Sequence, residues 1–272
     1  MDPALIVAFV ALGAAVGFLA GLLGIGGGMT MVPMLTIAFS YLGFASEHVV
    51  HLAVATATAT ILFTSLSSTW AHHRHGAVLW HVVAGMAPGM ILGSLAGSLL
   101  VGRMSTALLA GFFGVFVAAA ATNMLRNRKP KPTRELPPAV GLAVVGGGIG
   151  LVSSMVGAGG AFLTVPFLVA CNVGLRYGVA TSAALGLPVA IAGTIGYVIA
   201  GSKVPGLPSG SVGYVYLPAL LAIVVGSVVS APAGARAAHR WPVDRLRQIY
   251  AMLLYALAAY MLWKAWTSVQ GS

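Results

Sequence analysis

Long apolar segments alternate with short polar links along the whole chain. Because about 20 apolar residues cross a bilayer as a helix, the pattern predicts ten helical segments, five in each half. They cover residues 4–23, 29–44, 49–71, 78–101 and 106–125, then 139–156, 161–175, 178–200, 214–235 and 246–266. Composition agrees, since 59% of the 272 residues are hydrophobic and 7% are charged, against about a quarter charged in soluble domains. The sequence therefore predicts an all-α integral membrane protein.

A basic stretch separates two related halves. Residues 126–138 contain two Lys-Pro steps and five basic residues, which predicts an extended cytoplasmic linker between membrane repeats at 1–125 and 139–272. The halves share a glycine-rich motif, because GIGGGMTMVPML at 24–35 returns as GAGGAFLTVPFL at 157–168 with six of twelve positions identical. Val54-Ala55-Thr56 likewise returns as Val179-Ala180-Thr181. Each motif interrupts an apolar run, so each is predicted to break a membrane helix.

The positive charges favour one of two topologies. If each glycine-broken pair of segments crosses the membrane once, the fourteen Lys and Arg divide eight to six between the faces. If each pair forms a hairpin, eleven share the face of the linker, and only Arg103, Lys203 and Lys264 lie opposite. The positive-inside rule favours the hairpins. Both termini are then external, and the second repeat is inverted relative to the first.

Broken helices in matching positions of inverted repeats are typical of secondary transporters, whose substrates bind near the membrane midplane. Glycines allow close backbone approach, and a helix that starts after them directs free amides and a positive dipole end at the break. Two such ends would form an anion pocket without a buried cation. The alternative is that the glycines only allow close helix packing in lipid.

The motifs carry a family resemblance. The first glycine motif, the Val-Ala-Thr step that ends at Thr56 and the second motif after a basic linker resemble the sulfite exporter TauE/SafE family over nearly the whole chain. The resemblance implies a multi-pass permease of small sulfur oxyanions or organosulfonates in the cell membrane, which in a bacterium is the inner membrane. Ala161 replaces the third motif glycine and Ala57 stands where the other half has Ser182, so the two half-sites are not identical.

The predicted substrate site combines both breaks with hydroxyls of the following helices. Its residues are Gly24, Gly26, Gly27, Gly28, Pro33, Thr56, Gly157, Gly159, Gly160, Pro166, Thr181 and Ser182. Thr60 and Thr64 follow Thr56 at helical spacing and would extend a polar stripe. The alternative for these hydroxyls is a hydrogen bond to a carbonyl one turn back or to a neighbouring helix.

A metal-ion permease is the main competing hypothesis, because His72, His73 and His75 form one short loop. A cation site should also bring carboxylates into the membrane, but all four acids lie at termini or loops. They are Asp2, Glu47, Glu135 and Asp244. A non-transporting membrane subunit is the third hypothesis.

The sequence also limits the ligands and partners. The glycine motifs follow helix patterns and not strands, so no dinucleotide or phosphate loop, no enzyme activity and no cofactor are expected. The basic residues are spread through the links, so no nucleic acid is expected either. The expected partners are the lipid bilayer and a small anionic substrate. The coupling ion, proton or sodium, and the formation of a homo-oligomer are left open.

Overall fold

The computed structural model describes residues 3–23, 28–126, 135–238 and 243–270. Ten α-helices and one two-stranded β-hairpin lie in these ranges. In chain order they are α1 (Pro3–Leu23), α2 (Gly28–Tyr41), α3 (Val49–Arg74), α4 (Trp80–Val101), α5 (Thr106–Leu125), α6 (Ala139–Val156), α7 (Ala161–Ala170), α8 (Leu175–Gly201), β1 (Ser211–Val212), β2 (Val215–Tyr216), α9 (Leu217–Ala238) and α10 (Val243–Gln270). Most of the predicted linker, residues 127–134, is outside the described residues.

Each predicted apolar segment corresponds to one helix. Six helices are long and apolar enough to cross a membrane: α3, α4, α5, α6, α8 and the Gln248–Gln270 part of α10. The prediction of a helical integral membrane protein is confirmed at this level.

Several predicted boundaries were wrong by about three to five residues, and two of these errors come from local turns. α7 ends at Ala170 and not at residue 175, because the chain turns at Asn172, which has a left-handed φ of 62°. The segment predicted from residue 214 begins at Leu217, because residues 211–216 form the β-hairpin. Its turn residue Gly213 has a φ of 56° and lies against the backbone of Val198, where a side chain would not fit.

Two helices that occupy equivalent places in the two halves, α3 and α8, cross at the centre of the molecule. They run antiparallel, since Gly193 faces Thr58 whereas Gly186 faces Ser65. A Cβ atom on Gly193 would lie 3.0 Å from Thr58 Cγ2, so the missing side chain sets the close approach. α3 is buried at every residue from 49 to 61, and its apolar character there serves protein packing instead of lipid contact.

The outer helices pack mainly on the opposite half of the chain. α1 runs parallel to α9, and α6 runs parallel to α4. The closest approaches are Gly13–Ile223 and Gly17–Ser227 in the first pair, and Gly89–Ala143 and Gly93–Gly147 in the second. In both pairs a glycine meets the neighbouring backbone, which is the close contact that small residues allow between membrane helices. α5 of the first half also packs on a helix of the second half, α10, and these two helices run antiparallel.

The chain reverses direction at the second glycine motif. α6 and α8 both run parallel to α4, whereas α7 runs antiparallel to α8, with Leu168 beside Gly178 and the carbonyl oxygen of Gly159 near Gly186. α7 has ten residues and is therefore about 15 Å long, half of the roughly 30 Å hydrocarbon core. α6 and α7 thus form a hairpin with a short return arm.

Candidate functional site: a helix break with unpaired donors

The second glycine motif ends one helix and begins the next within four residues. Gly157 has a φ of 61°, and its amide donates to Ser154 O at 3.2 Å while the amide of Ala158 donates to Ser153 O at 3.1 Å. This pair of bonds is a Schellman motif, in which the left-handed residue is usually glycine. Gly160, with a φ of 78°, precedes α7, and its carbonyl accepts from the amide of Thr164 at 2.9 Å. The two left-handed glycines explain why this sequence turns here.

The first turn of α7 presents free hydrogen-bond donors to the break. The amides of Ala161 and Phe162 have no acceptor among the residues that the structure describes, as expected for the first turn of a helix. The positive end of the helix dipole lies at the same place. The first turn of α7 therefore favours a negatively charged group.

Buried hydroxyls surround the same turn. A Cβ atom on Gly160 would lie 3.1 Å from Ser153 Oγ and 3.7 Å from Thr164 Oγ1, so both hydroxyls face the open side of this glycine. Ser153 is 3% exposed and Thr164 is 0% exposed, yet neither has a hydrogen-bond partner in the described part of the chain. Buried hydroxyls normally have a partner, and leaving one without costs about 1–3 kcal/mol.

Ser182, which the sequence predicted for the site, is also buried without a hydrogen-bond partner among the described residues. It lies on α8 one turn from both Gly178 and Gly186. A Cβ atom on Gly186 would lie 3.4 Å from the carbonyl oxygen of Gly159, and Gly178 lies against Leu168 of α7. Positions spaced by four residues share one helix face, so Ser182 lies on the face of α8 that packs on α7.

The two glycine motifs touch each other. Gly28, the first residue of α2, packs directly on the backbone of Gly157 and Ala158, and a Cβ atom there would overlap both. A Cβ atom on Gly157 would in turn lie 2.9 Å from Val32 Cγ2 of α2. The predicted meeting of the two breaks is therefore seen at Gly28, whereas Gly24, Gly26 and Gly27 lie outside the described residues.

The break lies at the middle of the long central helices. A Cβ atom on Gly159 would lie 3.1 Å from Ile61 Cγ2, and Ile61 is halfway along α3. The carbonyl of Gly159 faces Gly186, near the middle of α8.

Thr56 and Thr181 each accept a hydrogen bond from the backbone amide just before a helix of the opposite half. The amide of Tyr216, just before α9, donates to Thr56 Oγ1 at 3.0 Å. The amide of Leu79, just before α4, donates to Thr181 Oγ1 at 3.0 Å. These two threonines therefore make equivalent bonds between the halves.

The two motif prolines lie deeper in their helices than the first turn. Pro33 is the sixth residue of α2 and Pro166 is the sixth residue of α7. Proline has no N–H to donate at this depth, so each of these helices lacks one backbone hydrogen bond just beyond its first turn.

Most hydroxyls of the polar stripe on α3 bond a carbonyl one turn back in the same helix, as the alternative interpretation predicted. Thr60 Oγ1 donates to Thr56 O at 2.9 Å, and Thr58 Oγ1 donates to Val54 O at 2.8 Å. Thr64 Oγ1 lies 3.3 Å from Ile61 O. These hydroxyls are bonded within their own helix and are not free to bind a substrate.

The histidines make structural contacts. His51 Nε2 bonds the carbonyl oxygens of Val101 and Met104 at the end of α4. The ring of His51 stacks on Tyr214 with centroids 5.1 Å apart; burial and the nearby Glu47 carboxylate raise the pKa of the Tyr214 phenol.

The predicted loop of three histidines was wrong, because His72 and His73 lie in the last turn of α3 and only His75 follows it. Trp80 Nε1, at the start of α4, donates to His73 Nδ1 at 3.3 Å. Within the described ranges, no three His, Cys, Asp or Glu side chains converge as metal ligands would. These three histidines therefore show no arrangement that favours the metal-ion hypothesis.

Sequence reasoning missed Ser153 and Thr164. The only signal was weak: a Ser-Ser pair stands two residues before the second motif, and a threonine stands in the motif where the first copy has Met31. Ser182 was identified because it follows Thr181 in an Ala-Thr-Ser step after the motif.

The six long apolar helices agree with a multi-pass membrane protein. The family match and the names of the relatives indicate a membrane transporter and not an enzyme. The chain belongs to the sulfite exporter TauE/SafE family, whose family model matches residues 9–261.

Several curated relatives agree. A probable membrane transporter protein of Haemophilus influenzae is 35% identical over 93% of this chain and 96% of its own length. A probable membrane transporter protein of Methanocaldococcus jannaschii is 26% identical over 91% of both chains. One from Bacillus subtilis is 26% identical over 83% of this chain and 87% of its own. No solved structure matches the chain significantly.

Proposed function

We propose that the protein is a secondary transporter of small sulfur-containing anions, such as sulfite or an organosulfonate, in the bacterial inner membrane. The anion binds at the paired glycine-rich breaks near the membrane midplane. The family name describes sulfite export, and the printed names of the relatives describe membrane transport.

One observation supports the proposal most directly. The first turn of α7 offers hydrogen-bond donors and no negatively charged acceptor. The amides of Ala161 and Phe162 have no acceptor among the described residues. The side-chain atoms nearest the Cβ position of Gly160 are Ser153 Oγ, Ile149 Cγ2 and Thr164 Oγ1, so two of the three are hydroxyl oxygens. All four acidic residues are distant in sequence from this motif. An oxyanion would accept charge-assisted bonds from these donors, whereas a cation would meet the positive end of the helix dipole.

The proposal includes inverted repeats, and the helix directions support it. Equivalent helices of the two halves pack antiparallel, which holds for α3 with α8 and for α5 with α10. The pairs α1–α9 and α6–α4 are also reciprocal between the halves. A two-fold axis perpendicular to the helices relates such pairs, as in transporters that alternate access around a fixed site.

The proposal also includes re-entrant hairpins at the two breaks. The guanidinium of Arg176, after α7, lies 3.4 Å from the carbonyl oxygen of His75, after α3. These two loops therefore share one end of the molecule, whereas a single crossing by α6 and α7 would separate them. Arg103 and Lys203 lie at the other end, where Gly102 packs on Ala200. The arrangement agrees with the hairpin topology that the charges favoured.

The first test measures ligand binding to the purified full chain in detergent. Sodium sulfite or sodium methanesulfonate at millimolar concentration should raise the melting temperature, because a ligand that binds only the folded state stabilises it. At 100 times the dissociation constant the gain is about 2.7 kcal/mol, which is several degrees for a chain of this size. Sodium chloride at equal ionic strength is the control.

The competing metal hypothesis is tested in the same assay. Zinc, nickel and cobalt should not stabilise the protein, and replacing His72, His73 and His75 together by Ala should preserve the response to oxyanions. Stabilisation by a metal that disappears in the triple variant, with no response to any oxyanion, would contradict the proposal. Flux of sulfite into proteoliposomes under an imposed proton or sodium gradient then identifies the coupling ion.

A further inference from the structure

The three unpartnered hydroxyls near α7 belong to only one of the two repeats. In the register that pairs Gly24 with Gly157, the counterparts of Ser153 and Thr164 are Ala20 and Met31. In the register that pairs Thr56 with Thr181, the counterpart of Ser182 is Ala57. Every one of these counterparts is apolar. The glycine break is thus duplicated, but its hydroxyl lining is not.

The hydroxyls are placed to contact one small group. Ser153 and Thr164 approach Gly160 from α6 and from α7, and Ser182 lies on the face of α8 that packs on α7 and the break. All three are at least 97% buried and have no hydrogen-bond partner within the described ranges. A neighbouring serine behaves differently, since Ser154 Oγ donates to Leu151 O at 2.9 Å. Local sequence therefore does not force these hydroxyls to remain unpaired.

We propose that Ser153, Thr164 and Ser182 form, with the first-turn amides of α7, a one-sided oxyanion subsite that binds the oxygen atoms of a sulfite or sulfonate group. The inference rests on the proposed function and refines it. The first repeat contributes backbone contact through Gly28 and apolar side chains such as Met31, but no equivalent hydroxyls. The substrate is therefore bound with its oxygens toward the second repeat and its less polar part toward the first.

The test compares hydroxyl-deletion variants with matched controls. Binding of sodium methanesulfonate to the full chain is titrated in detergent for Ser153→Ala, Thr164→Val and Ser182→Ala. The controls are Ser154→Ala and Thr58→Val, whose hydroxyls already bond carbonyl oxygens in their own helices. Each deletion should weaken binding roughly tenfold or more, because one charge-assisted bond is lost, whereas the controls should change it less than about twofold. Thr164→Ser keeps the hydroxyl and should keep most of the affinity.

A second readout separates binding from folding. Removing an unpartnered buried hydroxyl should leave the melting temperature of the ligand-free protein unchanged or raised, while the response to methanesulfonate falls. Deletion variants that bind as tightly as the wild type would overturn the subsite but leave the proposed function intact. A lower ligand-free melting temperature in all three variants would also overturn it, because the hydroxyls would then be structural. A wild-type protein that responds to no oxyanion would contradict both proposals.

Discussion

Adjacent residues of one helix have different roles near the break. Ser154 is bonded at both its hydroxyl and its carbonyl, which accepts from the hydroxyl of Tyr197 at 2.6 Å. Ser153, one position earlier, has a buried hydroxyl with no partner in the described structure. The difference depends on which side of α6 faces Gly160, and it decides which of two identical side chains can contact a ligand.

Gly160 itself gives the sharpest test at the scale of one residue. Gly160→Ala should strongly reduce transport, because a left-handed φ of 78° costs a non-glycine residue about 1–2 kcal/mol and the new Cβ would crowd Ser153 Oγ at 3.1 Å. Sulfite flux in proteoliposomes, divided by the amount of folded protein, measures the effect. Gly148→Ala in α6 is the matched control, since its Cβ would meet no atom within 4 Å. Equal activity per folded molecule in the two variants would support the packing interpretation of the motif.

The candidate site could be predicted from the sequence only in part. The duplicated motif located the break, and the Ala-Thr-Ser step that ends at Ser182 pointed to one of its hydroxyls. Ser153 and Thr164 could not be identified, because a serine or threonine in a membrane helix usually bonds its own backbone, as Thr58 and Thr60 do here. Only the three-dimensional arrangement distinguishes the bonded hydroxyls from the unbonded ones.

At the scale of helices, apolar length predicted most elements, and contacts between helices decided the rest. α5 and α6 have the predicted bounds, since their apolar runs end at polar or glycine residues. The short helix α7 and the β-hairpin before α9 were not predicted correctly, because Asn172 and Gly213 turn the chain within apolar sequence. Apolar composition alone does not show where such a run bends.

The glycine contact between α4 and α6 carries a prediction about helix packing. Gly93→Ala should lower the melting temperature, because a Cβ there would overlap the carbonyl of Gly147 and force two helix backbones apart. Gly147→Ala is the control in the same contact, since its Cβ would lie 3.6 Å from Gly89 O at an ordinary distance. Thermal unfolding of both variants in detergent makes the comparison. Equal destabilisation would mean that α4 and α6 are less closely packed than described.

At the scale of the whole molecule, the two ends are built from equivalent loops. Arg74 and Arg176 lie at one end with the loops after α3 and α7, and Arg103 and Lys203 lie at the other. In the proposed topology the linker and the loop after α7 lie at the same end, because the α6–α7 pair makes no net crossing.

Cysteine labelling tests this topology directly. In a Cys171→Ser background, Ser46→Cys and Ser209→Cys should both react with a membrane-impermeant reagent from outside intact cells, whereas His75→Cys should react only after permeabilisation. All three positions are exposed. If each pair crossed the membrane once, residues 46 and 209 would lie on opposite sides. Finding them there would overturn both the hairpins and the inverted relation of the halves.

The packing of α1 on α9 also has a consequence for biosynthesis. Gly13 contacts Ile223, 210 residues later in the chain. At about 5–20 residues per second, the ribosome needs roughly 10–40 s to supply that partner. Until then the glycine surface of α1 lacks its partner helix, whereas α4 has already been synthesised when α6 inserts. α1 is thus inserted long before it docks, and it can pack on its partner only after α9 has been synthesised.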